Sequence, residues 1–263
     1  METEAINVNQ GSSDETDRSA LKMPAPRWQV AEVVEVIAET KETTALRIAV
    51  PEPREFVSGQ YYNIRIPVEG RPRPIQRAYS IASSPFPQFN VVEFGIKEME
   101  GGLVSPVLAK QIAVGDTLEV RGPYGTFVWS EDKGGPLLLV AAGSGVVPFM
   151  SMIRYSKAKG LSVPMHLLFA SKSAEYVIYG QELKDLEAEL DWLSVTHTFT
   201  RDSGHPGSRY HRRIDQEMVT ELMYESQAKL AYSCGPPEMV KMCEAVLVDL
   251  GMDPQSVYSE KYD

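Results

Sequence analysis

The hydrophobic rhythm of this chain changes once, at the KGGP stretch of residues 133–136, and that change limits the fold more than any other feature. Before it, WQVAEVVEVIAE, TTALRIAVP, QYYNIRIPV, RAYSIAS, NVVEFGIKE and TLEVRGP are short alternating segments separated by Gly and Pro. Such segments read as strands of an antiparallel sandwich or barrel. GGLVSPVLAKQ interrupts them as a short helix opened by two glycines. After the change, PLLLVAAG and MHLLFAS are continuous apolar runs, as strands buried on both faces require. They alternate with SGVVPFMSMIRYSKA, QELKDLEAEL, IDQEMVTELM and PEMVKMCEAVLVDLG, which read as helices. LSVTHTFT and KLAYSCG complete a strand–helix alternation that implies a parallel sheet with covered faces. Residues 1–25 are polar and rich in Ser, Asp and Glu, which predicts a flexible tail.

Composition narrows the chemistry. The 263 residues carry a net charge of −10, which argues against general nucleic-acid binding. No apolar run approaches the ~20 residues of a membrane span, and the N-terminus lacks the basic start and apolar core of a secretory signal. A cytoplasmic location is the expectation. The two cysteines, Cys234 and Cys243, are too few for a disulfide scaffold, a four-thiolate zinc site or an iron–sulfur cluster, and the histidines at 166, 197, 205 and 211 show no metal-ligand spacing.

Three stretches carry candidate chemistry. In RAYSIASSP, residues 77–85, a cation, an aromatic ring and a hydroxyl open a short strand; alone, it fits an exposed strand entering a turn as well as an anion or cofactor site. In VAAGSGVVPFMSMI, Gly143, Ser144 and Gly145 join a buried strand to a helix. Their backbone can approach a pyrophosphate, and Pro148 suits the first helical turn. In YSCGPPEMV, Cys234, Gly235 and Pro236 end a later buried strand, at the sheet edge where open α/β sheets bind ligands.

The order RAYS, GSGVVP, SCGPP resembles the ferredoxin–NADP reductase superfamily over residues 27–263. The resemblance implies an antiparallel FAD-binding β-barrel over 26–131 and an α/β parallel-sheet NAD(P)-binding domain over 132–263. It implies that Arg77 pairs with the flavin diphosphate, with Ala78 beside it on the strand, that Tyr79 packs on the isoalloxazine ring and that Ser80 bonds near N5. Gly102, Leu103, Val104 and Ser105 resemble the second diphosphate element. VYSEKYD resembles the family's C-terminus, making Tyr262 the ring that covers the flavin and Glu260 the acidic residue beside it; Asp263 is one residue beyond the plant-type ending. Ser80, Cys234 and Glu260 are then the residues expected beside the nicotinamide during hydride transfer from NAD(P)H to FAD.

With no cysteines for a cluster of its own, the chain is expected to pass single electrons to a separate ferredoxin or iron–sulfur oxygenase component. Arg71 and Arg73 are candidates for docking an acidic partner. A flavin or quinone reductase and a non-catalytic electron-transfer subunit are the alternatives. NADPH is favoured over NADH, because Ser171 and Lys172 follow one strand and Thr200 and Arg201 end another, with Arg201 the main ligand for a 2′-phosphate and Arg209 its helper.

Overall fold

A computed structural model of the protein describes residues 25–262. The tail expected over 1–25 therefore lies outside the described residues, save for residue 25, as does Asp263.

The first sheet has six strands: β1 (Gln29–Thr40), β2 (Thr43–Ala49), β3 (Tyr61–Ile66), β4 (Ile75–Ser80), β5 (Val91–Lys97) and β6 (Thr117–Tyr124). They pair in the order β4-β3-β6-β1-β2-β5, with every pairing antiparallel. A bridge between Ile81 and Phe94 joins the two ends of that order and closes the sheet into a barrel. The period-two pattern sets which side chains fill it. In β3, Tyr62, Ile64 and Ile66 are buried, while Tyr61, Asn63 and Arg65 are partly exposed. Ala31, Val33, Leu46, Ile48, Val92, Phe94, Ile96, Leu118 and Val120 complete the same core. The short helix α1 (Ser105–Lys110) buries Leu108 and Ala109 against the barrel, and the Thr44 hydroxyl donates to the Ala109 carbonyl at 2.8 Å.

The second sheet is parallel, in the order β11-β10-β7-β8-β9. Its elements are β7 (Leu137–Ala142), α2 (Val147–Lys159), β8 (Met165–Ser171), α3 (Gly180–Glu189), β9 (Leu193–Phe199), α4 (Gln216–Ser226), β10 (Leu230–Gly235), α5 (Pro237–Asp249) and β11 (Val257–Lys261). The run LLLVAA forms the central strand because helices cover both its faces. Leu139 packs with Phe149, Ile153 and Leu183 on one side; Leu138 and Val140 pack with Met218, Leu222 and Val246 on the other. Burying each such side chain contributes about 1.5–3 kcal/mol. Helix ends follow local chemistry: the Asp215 carboxylate caps α4 by accepting from the Met218 amide at 3.1 Å, and Gly160, at φ +68°, ends α2.

Two elements differ from the sequence reading. GSGV does not continue into α2 as one helix but makes a separate tight turn over 143–146. VYSEK, to which the alternation assigned no strand, is β11, and its register sets Glu260 opposite Cys234. The carboxyl ends of β7, β8, β9 and β10 all meet the end of β5 along one edge, and the candidate site lies there.

Candidate functional site

A corner where the two sheets meet gathers residues from three distant segments. Ser80 ends β4, Cys234 lies in β10 and Glu260 in β11. The Ser80 hydroxyl donates to Glu260 Oε2 at 3.3 Å, and the Cys234 thiol donates to the same oxygen at 3.8 Å. Burial pushes the Glu260 carboxyl above its usual range, and the two donors offset this only in part. Burial, then the Glu260 charge, pushes the Cys234 thiol well up. Cys234 is therefore a neutral donor that fills space, not a thiolate nucleophile. Tyr262 crosses the same corner: its amide donates to the Gly235 carbonyl at 3.1 Å and its phenol to the Ser144 carbonyl at 2.8 Å.

Next to this corner a cleft of about 810 Å³ opens between the barrel and the parallel sheet. Gly143, Ser144, Ser171, Lys172, Thr200 and Pro236, the residues the sequence reading gives to a nucleotide site, line it, and so does Tyr262, which that reading gives to the flavin face. Gly143 has φ +55°, a left-handed conformation that glycine adopts without strain. At Gly145 a Cβ would lie 2.0 Å from the Cys234 carbonyl oxygen, so only glycine lets the 143–146 turn pack on the end of β10. Buried Gly235 connects Cys234 to the cleft wall.

The other expected residues are placed as follows. Arg77 and Ala78 are exposed on β4, the strand at one end of the pairing order. The Arg77 guanidinium donates to its neighbour Gln76's carbonyl at 2.8 Å and makes no ion pair among the described residues. Tyr79 packs on the barrel core, and burial raises its phenol to about 12. Gly102 and Leu103 are exposed before α1. Val104 and Ser105 are buried, and the Ser105 hydroxyl accepts from the Met99 amide at 3.1 Å, so this segment offers backbone rather than the expected hydroxyl.

Three expectations shift. Pro148 is buried inside α2's first turn and is not part of the cleft wall. Arg201 is exposed, and its backbone amide donates to the Lys172 carbonyl at 2.8 Å. Arg209 is held by Glu225 at 2.6 and 2.7 Å and by Glu221, both on α4; Arg213 lines the cleft instead. The α4 carboxylates explain the difference, since two of them satisfy the Arg209 guanidinium away from the cleft. The sequence reading missed Lys97 at the end of β5, Met99 just beyond it, and Met239 and Met242 on α5. Lys97 ends an ordinary strand pattern, and the two methionines read as core.

The residues present fit a dinucleotide and a flavin on two observations. The Ser171 hydroxyl is buried in the cleft wall with no hydrogen-bond partner among the described residues, an unmet donor that a ribose or phosphate oxygen would satisfy. Arg77 is an exposed guanidinium with no carboxylate partner among the described residues, in a chain of net charge −10.

Comparison with known proteins agrees. Residues 30–129 match the family profile described as the oxidoreductase FAD-binding domain, and residues 139–245 match that of the oxidoreductase NAD-binding domain. The chain is 33% identical to ferredoxin–NADP reductase B of Sorangium cellulosum, over 79% of this chain and 86% of that one. It is 30% identical to the ferredoxin–NAD(P)(+) reductase component of the naphthalene 1,2-dioxygenase/salicylate 5-hydroxylase systems of Ralstonia sp, over 85% of this chain but only 65% of the relative's length. Among solved structures, the ferredoxin reductase in carbazole 1,9a-dioxygenase superposes with a TM-score of 0.76 at 26% identity, covering 90% of this chain and 69% of that one. The Neisseria gonorrhoeae ferredoxin NADP+ reductase superposes with a TM-score of 0.75 at 21% identity, covering 89% and 98%, and shares the fold.

Proposed function

This chain belongs to the ferredoxin–NADP reductase superfamily, and on that premise we propose that it passes electrons from NADPH through FAD to a separate iron–sulfur protein. The observation that carries the reading is the convergence of Ser80, Cys234 and Glu260 beside Tyr262 at the mouth of the nucleotide cleft. Bound flavin supplies the exchange between a two-electron hydride donor and one-electron carriers.

The chain's own residues bind and orient. Arg77 pairs with the diphosphate through a planar guanidinium, and exposed Gly102 and Leu103 flank it. Tyr79 offers a ring fixed by the barrel core. Ser80 and Cys234 hold the Glu260 carboxylate at one corner of the site, where it orients the reacting rings. Tyr262 covers that corner and excludes water from it. At the far end of the cleft, Lys172 and Thr200 of its wall receive the 2′-phosphate, with exposed Arg201 following Thr200 in the chain and Arg213 in the place first given to Arg209.

The acceptor belongs to the same reading. A separate ferredoxin, or an oxygenase component with its own cluster, is supported by the printed names of the relatives. No group of His, Cys, Asp and Glu suited to a metal occurs among the described residues. Arg71 and Arg73 are exposed between β3 and β4 and offer cationic contacts to an acidic partner. A cytoplasmic location is part of the proposal, supported by two free, buried cysteines. No helix among the described residues is long and apolar enough to cross a membrane.

The test is an acceptor assay on purified protein. Flavin bands that bleach on adding NADPH, with cytochrome reduction that needs added ferredoxin, are the expected result. Equal rates with free quinone or flavin and no ferredoxin requirement would overturn the acceptor assignment.

A further inference from the structure

The polar end of the cleft collects cations from both domains. Lys97 comes from the end of β5, Lys172 follows β8 and Arg201 follows β9. The Lys97 ammonium lies 3.4 Å from where a Cβ on Gly143 would stand, at the cleft wall. Burial, then the Lys172 charge, holds Lys97 below the usual lysine range.

One carboxylate enters this group, and it comes from the barrel. Glu42, in the turn between β1 and β2, accepts from Lys172 Nζ through both its oxygens, at 2.5 and 2.6 Å. The same ammonium stands 4.8 Å from the Tyr176 ring centre, so it is held on two sides. Its hydrogen bond to Lys172 holds the Glu42 carboxyl below the usual range, helped by the charges of Lys172, Lys97 and Arg201. The turn itself is fixed by other groups. The Glu42 amide donates to Thr40 Oγ1 at 3.2 Å, the Glu98 amide donates to the Glu42 carbonyl at 2.7 Å, and Lys41 pairs with Glu175 at 2.9 Å. The carboxylate is thus delivered to Lys172, at the cleft wall, by a backbone that does not depend on it.

We infer that Glu42 is a specificity-determining residue for the nicotinamide nucleotide, acting from the barrel domain by occupying Lys172 against a 2′-phosphate. The inference rests on the reading that Lys172 and Arg201 face that phosphate. A 2′-phosphorylated nucleotide must take Lys172 from Glu42 or sit beside a carboxylate of like charge. A nucleotide with a free 2′-hydroxyl meets neither cost, and a carboxylate near the ribose is an acceptor for its hydroxyls. The preference for NADPH is therefore smaller than the cations alone would give. By linkage, a bound 2′-phosphate also weakens the Glu42–Lys172 tie between the domains.

The test is calorimetric titration of the flavin-loaded full chain with 2′,5′-ADP and with ADP, a binding readout that needs no turnover. Glu42→Gln should bind 2′,5′-ADP roughly fivefold to tenfold more tightly. Its affinity for ADP should stay within about twofold, which also shows that the cleft is intact. Lys172→Met should weaken 2′,5′-ADP selectively, and in that background the gain from Glu42→Gln should shrink. If Lys172→Met weakens 2′,5′-ADP but Glu42→Gln leaves it unchanged, or weakens both ligands alike, the role of Glu42 is overturned while the phosphate site stands. If neither Lys172→Met nor Arg201→Ala alters the preference for 2′,5′-ADP over ADP, the phosphate site itself fails, and this inference with it.

Discussion

Burial holds the Glu260 carboxyl above the ordinary glutamate value of 4.5, although the Ser80 hydroxyl and Cys234 thiol are both aimed at Oε2. A carboxyl whose folded pKa exceeds its unfolded one keeps more protons folded than unfolded, so stability falls as pH rises between the two values. The Glu260 contribution is therefore fully favourable below 4.5 and is lost as pH rises through the folded pKa. Glu260→Gln should remove that slope. Denaturant midpoints of wild type and variant, taken from pH 4.5 upward, should diverge in the variant's favour, and parallel curves would show that the carboxyl is not desolvated. The same variant should slow single-turnover flavin reduction about tenfold, since it alters the group that orients the reacting rings. An unchanged rate would remove Glu260 from the reacting corner. At this scale the sequence was partly legible. Ser80, Cys234 and Glu260 sit in short motifs whose composition is itself unusual. Lys97 and Glu42 do not, because a lysine ending a strand and a glutamate in a hairpin turn look like ordinary solvated residues until the fold brings them together.

Elements were legible wherever a period of two or of 3.6 residues sets burial, and illegible where position in the fold decides. PLLLVAAG announces a central strand through its unbroken apolar run, and it is one. VYSEK alternates weakly and becomes a strand only because β10 leaves an open edge beside it. The 143–146 turn is similar: GSGV reads as the start of a helix, yet it winds separately so that Gly145 can lie against β10. Gly145→Ala tests that contact. The new Cβ would fall 2.0 Å from the Cys234 carbonyl oxygen and 2.7 Å from its carbon, both backbone atoms that cannot rotate away. Overpacking of this kind costs about 1–3 kcal/mol. The variant should lose thermal stability and bind ADP at least tenfold more weakly, equivalent to ~1.4 kcal/mol. Gly143→Ala meets only the flexible Lys97 amine at 3.4 Å and should lose less stability despite its left-handed backbone. Calorimetry on both variants decides this, and equal losses would mean that the close approach at position 145 costs no more than the left-handed backbone at position 143.

At the scale of the molecule, the two halves are joined by charges that no sequence pattern discloses. Glu93 on β5 is 3% exposed and lies between Arg47 of the barrel and Arg154 of α2. The Arg154 guanidinium donates to Glu93 at 2.8 Å, to the Ala82 carbonyl at 2.9 Å and to Glu182 on α3 at 2.6 and 2.7 Å, and it lies 4.9 Å from the Tyr179 ring centre. Burial alone would raise the Glu93 carboxyl, but Arg154 and then Arg47 outweigh it and hold the group below the usual range. A depressed carboxyl contributes stability that is present above its unfolded value of 4.5 and is lost as pH falls through the folded one. The change of rhythm at residues 133–136 discloses two domains but not this clamp, because Glu93 and Arg154 are 61 residues apart and each alone looks like a surface charge. Arg154→Met keeps an unbranched apolar stem and removes the guanidinium and its charge. It leaves Glu93 buried with Arg47 alone, and breaking a buried pair from one side costs about 3–5 kcal/mol. The variant should unfold at least ~5 °C lower, and its stability should begin to fall at a higher pH on acidification than wild type, since Glu93 has lost its stronger cation. Adding Glu93→Gln to Arg154→Met should recover part of the loss by removing the stranded charge. Scanning calorimetry across pH separates these terms. If Arg154→Met shifts the midpoint by less than about 2 °C, with no change in the acid limb, the clamp contributes nothing to stability and the domains are held by their other contacts, among them the apolar packing of Ala45, Ala82 and Phe127.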